Sequence, residues 1–134
     1  LPLALMFVDL DNFKAVNDAY GHLIADEIMV EAVNRLERCV RDEDLVTRYG
    51  GDEFAVLLRN VRSRSELEAV AQRILQDFNK PFDVGRTGAY VTLSIGVAHS
   101  LKSGLAPDRL LHLADQAMYT AKTLGRNRYE IVTI

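Results

Sequence analysis

Apolar residues run almost unbroken through the first stretch of the chain and then switch to helical spacing. Leu1 to Leu10 is interrupted only near its end, by Asp9. A run that short and continuous predicts a central strand covered on both faces. Asp9-Leu10-Asp11-Asn12 leads into a helix with Phe13, Val16 and Tyr20 on one face and Asp11 or Asn12 as its N-cap. Gly21 breaks that helix, and Gly21-His22 reads as a turn. Met29, Val33, Leu36 and Val40 predict a second helix from about Ile24 to Cys39 or Val40, with Glu31, Arg35 and Arg38 on its wet side.

Past the charged connector Arg41-Asp42-Glu43-Asp44, two short apolar runs flank a glycine pair. Leu45-Val46-Thr47 precedes Arg48-Tyr49-Gly50-Gly51-Asp52-Glu53-Phe54, and the second run continues from Phe54 to Leu58. The pattern predicts a tight β-hairpin with positive φ at both glycines, its second strand ending near Arg59. Ser65 and Glu68 have the spacing of a capping box and open a third helix. Its apolar face is Leu67, Val70, Ala71, Ile74 and Phe78, and Pro81 stops it. Phe82-Asp83-Val84 and Gly85-Arg86-Thr87-Gly88 read as a small hairpin entering a strand from Tyr90 to Ala98. A loop over 100–106 leads to a fourth helix starting at Pro107, with Leu110, Leu111, Ala114, Ala117, Met118 and Ala121 facing inward and Gly125 as its stop. Tyr129 to Ile134 closes the chain as a strand. Hairpins and helical crossovers mix in the order β-α-α-β-β-α-(hairpin)-β-α-β. This predicts an α+β sandwich, one mainly antiparallel sheet of about five strands flanked by helices.

Composition narrows the function classes. At 134 residues, 49% hydrophobic and 26% charged, the chain fits one compact domain over 1–134. No apolar run reaches the roughly 20 residues of a membrane span. Opening on Leu1 inside a strand pattern is expected of a fragment of a longer polypeptide. The net charge is −3 and the arginines are scattered, so no basic face for nucleic acid is expected. The single cysteine, Cys39, suits a reducing compartment and is expected to be a partly buried thiol.

Chemistry concentrates at two carboxylates. Asp9 ends a central strand and Asp52 follows a hairpin turn; if those strands are neighbours, the two converge at one sheet edge. With a nearby backbone carbonyl they form a hard oxygen site suited to Mg2+, which keeps positions open for phosphate oxygens. The unpaired N–H groups near Asn12, Phe13 and Lys14 can hold phosphate, and Gly50 and Gly51 leave room for a triphosphate. Lys122 and Arg126, four apart at the end of the fourth helix, add cations. Asn17 and Asp26 flank the break at Gly21, and an amide with a carboxylate suits a guanine edge. Each piece has a plainer role when taken alone: a cap, a solvated turn, a complement to a helix C-terminus.

Together these stretches resemble one family. Arg48 to Phe54 is similar to the signature of the GGDEF family, the diguanylate cyclase domain. Val8-Asp9-Leu10-Asp11-Asn12-Phe13-Lys14, Asn17-Asp18, Gly21-His22, Ser94-Ile95-Gly96-Val97-Ala98, Ala114-Asp115, Met118-Tyr119, Ala121-Lys122 and Gly125-Arg126-Asn127 match in order and at family spacing. The resemblance implies a fold like that of nucleotide cyclases and polymerase palms, and condensation of two GTP into cyclic di-GMP and pyrophosphate. It implies Mg2+ (or Mn2+) held by Asp9, Asp52 and the Leu10 carbonyl, with Asp52 and Glu53 as catalytic carboxylates. Asn17 and Asp26 match guanine-reading positions, and Lys122 and Arg126 match phosphate contacts. Arg41 and Asp44 match the Arg-x-x-Asp inhibitory product site, joined by Arg73. Each domain resembles a half-site, so a second GGDEF domain, as a homodimer, is implied for turnover. A cytoplasmic setting is expected, even where the full-length protein is membrane-anchored.

The chain also departs from the pattern. Ala25 replaces the second glycine of the usual Gly-His-x-x-Gly-Asp, and strain in a loop carrying Asp26 is expected if that position needs positive φ. The helical segment that precedes the first strand in the family is absent from this stretch. An upstream sensor is expected, and the segment around Pro81-Phe82 and the Gly-Arg-Asn-Arg-Tyr ending resemble members fused to a downstream EAL phosphodiesterase domain. In such hybrids the domain can bind GTP or cyclic di-GMP and regulate its neighbour without turnover.

Overall fold

The opening apolar run becomes the middle strand of a five-stranded sheet. A computed structural model describes residues 2–85, 87–101 and 106–134. Leu1 of the first strand, Arg86 of the expected small hairpin and residues 102–105 of the expected loop lie outside the described residues. The elements are β1 (Leu3–Leu10), α1 (Phe13–Tyr20), α2 (His22–Cys39), β2 (Leu45–Arg48), β3 (Glu53–Arg59), α3 (Arg64–Asp77), β4 (Leu93–Ser100), α4 (Pro107–Thr123) and β5 (Arg128–Thr133). Their order across the sheet is β2-β3-β1-β4-β5. All neighbours are antiparallel except β4 and β5, which α4 joins as a parallel crossover. The expected α+β sandwich with a mainly antiparallel sheet is what forms.

Alternation along β1 sorts the two layers. Ala4, Met6, Val8 and Leu10 pack with residues of α1, α2 and α3, among them Phe13, Ile28, Leu36, Leu67 and Ile74. Leu5 and Phe7 face the other way, onto Leu110, Ala114 and Met118 of α4. Period two then puts Asp9 on the α4 side.

That layer depends on a glycine. At Gly96 of β4, an added Cβ would collide with the Met118 amide nitrogen and the Ala114 carbonyl of α4. The helix backbone thus lies directly on the strand. This is a close-approach glycine, with no need for positive φ.

Several boundaries differ from expectation for local reasons. Neither Gly50 nor Gly51 has positive φ. Four residues, Tyr49 to Asp52, make the turn. Arg48 closes it by donating to the carbonyls of Gly50 (3.4 Å) and Gly51 (2.7 Å). Helix α2 starts at His22, so the turn is Gly21 alone, with φ 85°. Ala25 lies within α2, buried and outside the positive-φ residues, so the expected strain does not arise. The cap of α3 is Ser63, accepting from the Glu66 N–H; α3 ends at Asp77, short of Pro81. The small hairpin reduces to one bridge between Phe82 and Ala89, and β4 starts at Leu93 rather than Tyr90.

Arg35 is the largest departure. It belongs to the expected wet side of α2, yet it is buried. Its guanidinium lies 3.8 Å from the Phe82 ring centroid and donates to the carbonyls of Asp77 (3.0 Å), Lys80 (3.0 Å) and Pro81 (2.8 Å). The planar five-donor fork satisfies carbonyls at and just beyond the end of α3 while its charge meets an aromatic face.

The contact at Gly96 can be tested against an open glycine. Gly96→Ala is expected to destabilise the domain by at least about 2 kcal/mol, because backbone must move to admit a methyl group. Gly50→Ala, where nothing lies within 4 Å of the added Cβ, should stay within about 0.5 kcal/mol of the parent. Urea unfolding followed by circular dichroism measures both.

Candidate functional site

The two carboxylates on either side of the β1–β3 pairing do meet. Asp9 pairs in register with Glu53, and the Leu10 N–H donates to the Asp52 carbonyl at 3.1 Å. Asp9, Asp52 and Glu53 each offer an oxygen, all within 4.8 Å of one another. Asp9 is buried at 4% exposure, while the other two are half-buried. From the last turn of α4, on the face of the sheet that Asp9 shares, Lys122 reaches the Asp9 Oδ2 as donor and ion-pair partner. The Asp9 Oδ1 is buried with no hydrogen-bond partner.

Burial pushes the Asp9 carboxyl up, from 3.8 to about 6. Lys122 opposes that rise and the charge of Asp52 adds to it. Clustered carboxylates, with one buried oxygen unmatched and a single ammonium for compensation, leave negative charge uncompensated in a partly dry place. Hard oxygen donors of this kind fit Mg2+ or Mn2+. Leu10, whose carbonyl was expected as a further donor, ends the same strand.

Of the residues expected to contact phosphate, Lys122 meets Asp9, and Gly50 and Gly51 precede Asp52 in the hairpin turn. Asn12 takes a left-handed conformation (φ 54°) and forms no side-chain cap. The N–H groups of Asn12, Phe13 and Lys14 have no intrachain acceptor among the described residues. Gly50 and Gly51 face open space, and Tyr49 beside them stands edge-on to Phe7, with ring centroids 4.9 Å apart. Arg126 lies past the end of α4 rather than on it. Gly125 donates to the Lys122 carbonyl (3.2 Å) and Arg126 to that of Ala121 (3.0 Å), a Schellman closure that leaves the Arg126 side chain exposed.

Asn17 and Asp26 stand on either side of the hinge at Gly21. Asn17 Oδ1 is buried without a partner, and Asp26 is exposed on α2. Among the described residues, no hydrogen bond or ion pair ties either of them to the carboxylate cluster.

Arg41, Asp44 and Arg73 line one cavity of about 300 Å³, with Cys39, Val61 and Val70 among its walls. Asp44 is turned inward: its carboxylate accepts from the N–H groups of Arg41 and Arg59, both at 3.0 Å. Arg41 donates to the Arg59 carbonyl and Arg73 to that of Cys39. Cys39 is fully rather than partly buried.

Asp11 escaped the sequence reading as anything but a cap. It is buried and accepts from Thr92 Oγ1 (2.7 Å), Ser94 Oγ (2.7 Å) and the Asn127 N–H (3.0 Å). The available signal was parity: Asp11 follows Asp9 by two, as Ser94 follows Thr92.

Comparison with known proteins agrees with this architecture. Residues 1–128 match the family described as "Diguanylate cyclase, GGDEF domain". The chain is 41% identical over 131 residues to the cyclic di-GMP phosphodiesterase PdeR of Escherichia coli (strain K12), covering 98% of this chain and 20% of that protein. It is 40% identical over 126 residues to the bifunctional diguanylate cyclase/cyclic di-GMP phosphodiesterase MucR of Pseudomonas aeruginosa, covering 94% and 18% respectively. It therefore spans about a fifth of the length of either relative. The crystal structure of the GGDEF domain of PA1120 (YfiN or TpbB) from Pseudomonas aeruginosa superposes with a TM-score of 0.91 at 36% identity, covering 99% of this chain and 83% of that one.

The raised Asp9 pKa makes a stability prediction. A carboxyl with a raised folded pKa costs nothing below pH 4, and its penalty grows between pH 4 and 6. Above pH 6 it amounts to about 3 kcal/mol. In chelator, Asp9→Asn should therefore melt near the parent at pH 4 and several degrees above it at pH 7.5. Equal melting temperatures at pH 7.5 would contradict the assignment.

Proposed function

The chain belongs to the GGDEF family of diguanylate cyclase domains, and on that premise we propose that it condenses two GTP into cyclic di-GMP, releasing two pyrophosphates. The observation that carries the reading is the Asp9–Asp52–Glu53 cluster with Lys122 set against it.

In this reading Asp9, Asp52 and the Leu10 carbonyl hold a divalent cation, supported by Glu53. When bound, the cation neutralises the triphosphate and lowers the pKa of the ribose 3′-hydroxyl. The N–H groups at the start of α1 and the side chains of Lys122 and Arg126 bind the phosphates, in the space beside Gly50 and Gly51. Asn17 and Asp26 read the guanine edge. Asp52 takes the proton from the 3′-hydroxyl; the 3′-oxygen bonds to the α-phosphorus of the facing nucleotide, and the bond to pyrophosphate breaks. Two such transfers close the ring, so two domains must face each other as a homodimer. The reading carries the expectation that the domain faces the cytoplasm, beneath an upstream sensor. The cavity of Arg41, Asp44 and Arg73 is its inhibitory product site, where two guanidiniums meet guanine or phosphate acceptors.

A second reading is favoured by one observation: PdeR, 41% identical here, is named as a phosphodiesterase, and its matched segment is a fifth of its length. The domain then binds GTP or cyclic di-GMP and regulates an attached EAL domain without turnover.

Fused to a dimeric coiled coil and given GTP with Mg2+, the domain should form cyclic di-GMP, measured by chromatography. Asp52→Ala should lower the rate at least about 100-fold. Tight GTP binding without product from the enforced dimer selects the regulatory reading. Arg41→Ala and Arg73→Ala should each weaken cyclic di-GMP binding by about tenfold or more in calorimetry, with GTP binding unchanged.

A further inference from the structure

Asp11 has more partners than a loop carboxylate needs, and its surroundings are strained. Its N–H donates to the Thr92 carbonyl (2.8 Å), and its carboxylate accepts from both hydroxyls at the start of β4 and from the Asn127 N–H. One side chain thus joins the β1–α1 loop, the entry to β4 and the segment following α4. Those three segments are distant in sequence, and no backbone ladder holds the first to the third.

Among the described residues, four non-glycine positions have positive φ: Asn12, Asn60, Arg126 and Asn127. Three of them adjoin this junction. Asn12 follows Asp11, Asn127 donates to its carboxylate, and Arg126 precedes Asn127. A left-handed conformation at arginine is unfavourable by order 1 kcal/mol or more and persists only where the surroundings impose it. The Asp11–Asn127 bond is such a constraint. It fixes the segment from which the Arg126 side chain projects, and it fixes the residue from which α1 begins.

We propose that Asp11 is a positioning residue for the triphosphate. It holds the α1 amide terminus and Arg126 in register with each other on either side of the carboxylate cluster. It touches neither nucleotide nor metal; its effect passes through Asn12 and Asn127. This rests on the proposed GTP reading and adds a residue whose work is done by hydrogen-bond geometry, with formal charge unnecessary. An asparagine can keep that geometry. Its carbonyl oxygen can accept from Asn127 and Thr92, and its amide can donate to the Ser94 hydroxyl, which rotates to accept.

The test uses Asp11→Asn, Asp11→Ala and the parent, with α,β-methylene-GTP and GMP as probes in calorimetry with Mg2+, and GTP turnover where it is measurable. Melting temperatures set an assay temperature at which every protein is folded. Asp11→Ala is expected to weaken the triphosphate analogue by 10- to 100-fold with GMP affected far less, and to raise KM for GTP more than it lowers kcat. Asp11→Asn should restore both affinity and KM to within about threefold of the parent. An alanine variant that is folded and binds both probes like the parent overturns the proposal, as does equal weakening of GMP and the triphosphate. An asparagine variant as impaired as alanine also overturns it, by showing that charge is what matters. If the parent binds neither nucleotide, the underlying GTP reading fails and takes this with it. If it binds the triphosphate without turnover, the affinity arm alone decides.

Discussion

An ion pair between the end of the central strand and the end of the last helix organises this molecule. Asp9 is placed at the limit of a buried strand, where burial disfavours its charged form. Lys122, 113 positions later, is the cation that meets it. For that to happen β4 must pair with β1, α4 must cross back over the sheet, and Gly96 must let the helix backbone down onto the strand. The Schellman closure then ends the helix within reach of the acid cluster. The pair compensates only part of the charge there, and the remainder is what makes the edge receptive to a cation.

Much of this was legible from periodicity. The unbroken run of β1, the helical stripes of α2, α3 and α4 and the hairpin around the glycine pair are set by local spacing, and all form. The convergence of Asp9 with Asp52 followed from treating those strands as neighbours. Boundaries were less legible where a side chain replaces backbone chemistry. Arg48 closes a four-residue turn through two carbonyls, so its glycines need no left-handed geometry. Ser63 takes the cap that Ser65 was expected to supply, since both offer the same hydroxyl two residues apart.

Arg35 and Asp11 were illegible for a deeper reason. A buried charge is stable only when distant groups satisfy it, and local spacing gives at most a hint of parity about which groups those are. Arg35 finds its acceptors 42 to 46 positions away, and Asp11 its donors 81 to 116 positions away. Spacing put Arg35 on the wet side of α2 and made Asp11 a candidate helix cap. Only the assembled fold shows one fastening the exit of α3 and the other the rim of the site.

The brevity of β2 has a consequence for how the protein behaves at high concentration. It is an edge strand of four residues, bounded by the charged connector on one side and by Arg48 curling back over the glycines on the other. A longer hairpin arm would present a row of unsatisfied amides on which a neighbouring chain could grow as an additional strand. Here the arm stops after one such stretch and gives way to arginine and open glycine. On that edge of the sheet, the short arm that leaves the acid tip open therefore also offers little template for a neighbouring strand.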